Sequence, residues 1–159
     1  MKTNIAIVFG ISALILLFVL FTRGEQEPIK TERTNREVAL TCTTDMATEF
    51  HIHPTLEIVV NGQIQEIPVN IGVRTDCMNA LHTHDAIGTI HVESPERRDF
   101  TLADFFAVWG EPFTSEEILG YKTDETHRIK VLVDGKEVDT YENTVLKDKE
   151  KVIISYEAI

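Results

Sequence analysis

The hydrophobic pattern changes character three times along the chain. From Ile5 to Phe21 there are seventeen residues without a charge, then a polar stretch, and from about Thr41 a patterned region that runs to the end. In "HIHPTLEIVV" the apolar positions Ile52, Leu56, Ile58 and Val60 keep an even spacing, the period of a strand. His51, His53 and Glu57 then occupy the other face. Asn61-Gly62 follows, a dipeptide suited to the positive φ angles of a two-residue hairpin turn, and "QIQEIPVNIGV" reads as the returning strand. Pro54 lacks a ladder donor, so the first strand is expected to lie at an edge or to bulge there.

"TIHVES", residues 89–94, alternates again, with Ile90 and Val92 on one side and Thr89, His91 and Glu93 on the other. Leu102, Phe105, Phe106 and Trp109 fall at i, i+3, i+4 and i+7, the stripe of a helix. Thr101 with Asp104 three residues on marks its start, and Gly110 followed by Pro112 marks its end. A short helical turn is expected at "TSEEIL", a second hairpin around Asp134-Gly135, and a closing strand at "KVIISY". The order predicts an α+β fold: a small mixed or antiparallel β-sheet domain with two hairpins and one main helix, β-grasp-like by analogy.

The apolar run sets the organisation. With Thr22 the span 5–22 is eighteen residues, which at ~1.5 Å each reach ~27 Å, enough for one membrane crossing. A secretory signal has a shorter apolar core, about 7–15 residues, and a small-x-small exit that Phe21-Thr22-Arg23-Gly24 does not provide. Residues 1–23 are therefore expected to be an uncleaved transmembrane helix, 24–40 a linker, and 41–159 the folded domain. Basic residues flank the run on both sides. The positive-inside rule mildly favours a cytoplasmic domain. The short N-terminal tail is instead that of a signal anchor, and the two cysteines point the same way. A single-pass protein is therefore expected in the cell membrane with its domain outside the cytoplasm.

Charge and cysteines refine this picture. The net charge is −11, and the chain beyond residue 24 carries more still, which makes nucleic acid an unsuitable partner. Cys42 and Cys77 are the two thiols and form no CxxC pair. In an oxidising compartment a structural disulfide is expected. The competing role is Cys77 as a soft metal ligand five residues before His82.

Five of the six histidines lie between positions 51 and 91. If Asp85–Gly88 is a four-residue turn, His82 stands opposite His91 and His84 opposite Thr89, with opposed Cβ atoms ~5 Å apart. A three-histidine set, His82, His84 and His91, follows, and His51 and His53 offer a second pair that completes it or forms a weaker site. Imidazole suits copper or zinc, and Glu57, Asp85 or Glu93 could complete the shell or orient a ring. Thr83 faces the other way, so its replacement by alanine should change little. His127 lies outside the cluster. The competing explanation is a set of surface histidines that respond only to pH.

No Walker loop, G-x-S-x-G or dinucleotide fingerprint is present. "HIHPTLE" fits the opening half of a cupin metal motif, but its second half is missing. The run from "HIH" through "LHTHDAIGTIHVESP" to "TLADFFAVWG" and "KVIISY" resembles a group of uncharacterised prokaryotic membrane-anchored or secreted proteins. That resemblance implies an extracytoplasmic location and a shared site at His51, His53, His82, His84 and His91, and no particular reaction.

The expected function is a membrane-tethered metal-binding protein for copper or zinc binding, delivery or sensing, with a membrane protein or metal-accepting protein as partner. The alternatives are a metal-dependent enzyme, hydrolase or redox, with three histidines and an open position for water, or a structural interaction module without metal.

Overall fold

The computed structural model describes residues 32–44 and 48–159, so the apolar run at 5–22 lies outside the described residues. Among the described residues no helix is long and apolar enough to cross a membrane. Arg33–Ile159 form one compact unit, a sheet-rich α+β fold with few helices.

Its largest element is a five-stranded sheet. β3 (Thr55–Val60) turns through Asn61-Gly62 into β4 (Gln63–Gln65), and β10 (His127–Val133) turns through Asp134-Gly135 into β11 (Lys136–Val138). Both turns carry positive φ at each central residue, 49° and 77° in the first and 49° and 78° in the second, as a two-residue hairpin requires. β12 (Lys151–Ala158) runs between the hairpins, antiparallel to β10 and parallel to β3, giving the order β11-β10-β12-β3-β4. The alternating residues Leu56, Ile58, Val60, Ile129, Val131, Val152 and Ile154 are buried in the core.

A second, three-stranded sheet holds His51, His82 and His91. It comprises β2 (Phe50–Ile52), β7 (His91–Ser94) and β6 (Leu81–His82), in that order and antiparallel. The single strand expected over 51–60 is thus two strands in two sheets. Pro54 separates them, because it has no N–H for a ladder and its carbonyl instead accepts from Ile90 N at 2.9 Å. Past the break, Thr55 N donates to Glu150 O and Leu56 N to Gly88 O, which stitches the start of β3 to two loops. The returning strand is also shorter than expected, ending at Gln65 and continuing as irregular chain with Ile67 and Ile71 buried.

Two further expectations are corrected. The segment read as linker is helical over α1 (Asn35–Leu40). Thr34 and Glu37 form a capping box, with Glu37 N donating to Thr34 Oγ1 and Thr34 N to Glu37 Oε2. Val38 and Ala39 are buried, and Arg36 Nε lies 2.8 Å from Asp104 Oδ1 in α2 (Leu102–Trp109), so α1 belongs to the folded unit. The "TSEEIL" segment is a tight hairpin rather than a helical turn. β8 (Glu117–Ile118) and β9 (Tyr121–Lys122) flank Leu119 and Gly120 at φ 50° and 85°, and packing of Leu119 on the core offsets its unusual backbone.

α2 matches its expected stripe and stops at Gly110 with φ 86°. Phe105 and Phe106 are buried, and Trp109 stacks on Phe106 at 5.4 Å. Cys42 and Cys77 form a disulfide with Cα atoms 5.4 Å apart. It lies beside the pairing of β1 (Cys42–Thr43) with β5 (Met78–Asn79). Closing a loop of 35 residues stabilises the fold by roughly 4 kcal/mol in the chain-entropy account. It also removes Cys77 from the list of metal ligands, because no thiolate remains.

Gly88 fastens the histidine-bearing loop to β3. Its φ is 81°, its carbonyl accepts from Leu56 N at 2.8 Å, and an added Cβ would collide with the Leu56 carbonyl oxygen. Gly62 has a similar φ of 77° but open space around it. Gly88→Ala should therefore destabilise the protein by more than about 2 kcal/mol, and Gly62→Ala by about 1 kcal/mol, in denaturant titrations. Equal losses at the two sites would contradict this packing.

Candidate metal centre

Register brings the first two histidines together. β6 and β7 pair Leu81 with Val92 and His82 with His91, as the spacing predicts, and the two rings stack with centroids 5.4 Å apart. The ladder ends there. Thr89 bridges Thr55 in β3 rather than facing His84, so the 83–90 segment is a loop and not the expected four-residue turn. His84 nevertheless keeps its place, with its ring 4.8 Å from that of His82 and 4.9 Å from that of His91.

β2 supplies the other pair. It lines up His51 with Glu93 on β7, and opposed residues of an antiparallel pair share a face. His53 follows just past the strand, where Asp148 Oδ1 accepts its N–H at 3.0 Å and Lys149 N donates to its carbonyl at 3.3 Å. Its ring sits 4.3 Å from His51 and 4.8 Å from His91. All five histidines therefore form one connected group with His91 at its centre. One ring nitrogen each from His82, His84 and His91 lie within 4.8 Å of one another, and the same holds for His51, His53 and His91.

His82 has the most constrained chemistry. It is fully buried, and its Nδ1 lies 3.0 Å from the carbonyl oxygen of Asn79. A carbonyl only accepts, so Nδ1 carries the proton and Nε2 presents a bare lone pair. That nitrogen is buried with no hydrogen-bond partner among the described residues. A buried polar atom without a partner is uncommon and calls for a reason, and a metal-ligand role supplies one. A ring held by a carbonyl on one nitrogen while the other faces outward is the usual arrangement of a metal-binding histidine.

Electrostatics favour the neutral form of two rings, His82 and His91. Burial lowers the His82 pKa below the ordinary imidazole value, against the opposing effect of the Asn79 bond. Burial also lowers His91, reinforced by its neighbours His53 and His84. Neutral imidazole is the form that ligates metal.

The three carboxylates separate. Glu93 Oε1 lies 3.1 Å from His51 Nε2 and is placed to orient that ring. Glu57 is engaged by Lys151 Nζ at 3.0 Å, and Asp85 accepts from Ile87 N at 3.1 Å to shape the loop. Thr83 does face away from the cluster, but it is not a neutral position. It is buried, its hydroxyl donates to Pro68 O and accepts from Ile71 N, and its loss would loosen the loop. His127 is held by Asp124 and Thr126 and stacks on Tyr156 at 5.0 Å. Two positioning groups, the Asn79 carbonyl and Asp148, have no signature in the sequence, since one is backbone and the other lies 95 residues from His53. Compared with known proteins, the chain matches no family model, no curated protein and no solved structure.

The lowered histidines make stability depend on pH. His82 and His91 return to about 6.5 on unfolding, so below that value the unfolded chain binds more protons than the folded one. Their contribution is whole above about pH 6.5 and is lost as pH falls through their lower folded values. The denaturation midpoint of the metal-free protein should fall between about pH 7.5 and 5.5, and fall less in His82→Gln. An equally steep fall in that variant would contradict the assignment.

Proposed function

We propose that this is a membrane-tethered, extracytoplasmic metal-binding protein whose histidine cluster holds a copper or zinc ion, for binding, delivery or sensing. The observation that carries the reading is the buried, unpartnered Nε2 of His82 beside His84 and His91. Three imidazoles are a donor set for either ion, and the disulfide leaves no thiolate to favour a softer one. The tether and location rest on the apolar run at 5–22 and on a disulfide of the kind that persists in oxidising compartments.

We read the main sheet as β-grasp-like, with parallel first and last strands side by side at its centre and a hairpin on each flank. A partner membrane protein or metal-accepting protein would meet the cluster at its exposed members, His51 and His84.

Calorimetric titration of the full-length chain with copper(II) and with zinc(II) tests this. Binding should weaken as pH falls through about 6, because ligation requires neutral imidazole. His91→Ala should weaken binding by far more than His127→Ala. Equal affinities for the unaltered protein and His91→Ala would contradict the site.

A further inference from the structure

Resting on the metal-binding reading above, we propose that the cluster carries one ion at a time in two overlapping positions that share His91. The outer position is His51, His53 and His91, the inner is His82, His84 and His91, and the ion passes from outer to inner.

The two triads are each close enough to hold an ion, and His91 is common to both. Their surroundings differ. The outer triad includes exposed His51, held 3.1 Å from the carboxylate of Glu93, a charge that draws a cation in and fixes the ring. The inner triad is built on His82, which has no solvent exposure and has its tautomer set by Asn79. The outer position therefore favours fast capture, and the inner one retention.

Sharing excludes double occupancy. Two divalent ions flanking one imidazole repel strongly, and Glu93 is the carboxylate paired within the cluster. One His91 nitrogen binds one ion at a time, so with that nitrogen serving both triads a second ion finds its ligand already taken. The transfer itself balances without any co-reactant. The metal–nitrogen bonds to His51 and His53 break, bonds to His82 and His84 form, and the bond to the one unprotonated nitrogen of His91 persists. Imidazole binds and leaves the ion in the same neutral form, so the exchange of ligands itself moves no proton or electron.

The test uses the full-length chain with zinc(II) alone as probe, reading stoichiometry, loading rate and affinity against a chromophoric chelator. The unaltered protein should bind one equivalent. The His51→Ala, His53→Ala double variant should load about tenfold more slowly while losing less than about threefold in affinity. His84→Ala, at an exposed position whose loss spares the core, should lose about 10–100-fold in affinity and release zinc faster. Two equivalents in the unaltered protein, an unchanged loading rate in the double variant, or equal affinity losses in the two variants would overturn the two-position account. No binding by the unaltered protein would instead defeat the metal reading on which it rests.

Discussion

A β-strand that slips by one residue sends all its side chains to the opposite face, so the pairing of His82 with His91 governs everything built around it. That register is held from both sides of β7. Leu81, Ile90 and Val92 are fully buried and cannot be turned outward, and on the far edge β2 pairs His51 with Glu93. The apolar residues choose the register, and the histidines follow from it. One of them, His82, is carried inside the protein, where a hydrogen bond to Asn79 O decides which nitrogen bears the proton.

The loops are arranged to keep that register in place. Leu56 N to Gly88 O and Ile90 N to Pro54 O join the first strand of the large sheet to the segment between β6 and β7. Thr83 ties the same segment to residues 68–71 from the opposite side. The disulfide fastens the chain just before β6, and Asn79, whose carbonyl orients His82, is itself tied to α1 through its side chain to Ala39 O at 2.8 Å. The cluster is thus assembled from short strands and loops, yet each is braced by a neighbour. A constellation on loops holds geometry only when its supports are fixed in this way.

The parts legible in the sequence were those set by local rules. Asn61-Gly62 and Asp134-Gly135 announce their hairpins through backbone geometry, the stripe from Leu102 to Trp109 announces its helix, and alternation at 89–94 announces β7. The opposition of His82 and His91 follows from spacing although the connection is a loop rather than a four-residue turn, because only the strand ends have to meet. What sequence could not reveal was long-range. Pro54 marks an interruption in the sequence, but that it divides one strand between two sheets depends on partners at Val92 and Ile154, far along the chain. The merging of His51 and His53 with the other three depends on the same pairing. The capping box at Thr34 and Glu37 was readable in principle, but six residues are too few for a helical period to stand out.

The central claim is that His82 is held inside the protein as a neutral imidazole protonated at Nδ1, with Nε2 free to bind an ion. Long-range proton–nitrogen correlation NMR on the metal-free, nitrogen-15-labelled protein near neutral pH reads the tautomer directly. The account predicts a single Nδ1–H form for His82, whose Nε2 resonance moves when zinc(II) is added while the Nδ1 proton is retained. A His82 protonated at Nε2, or one whose Nε2 is indifferent to added metal, would contradict it.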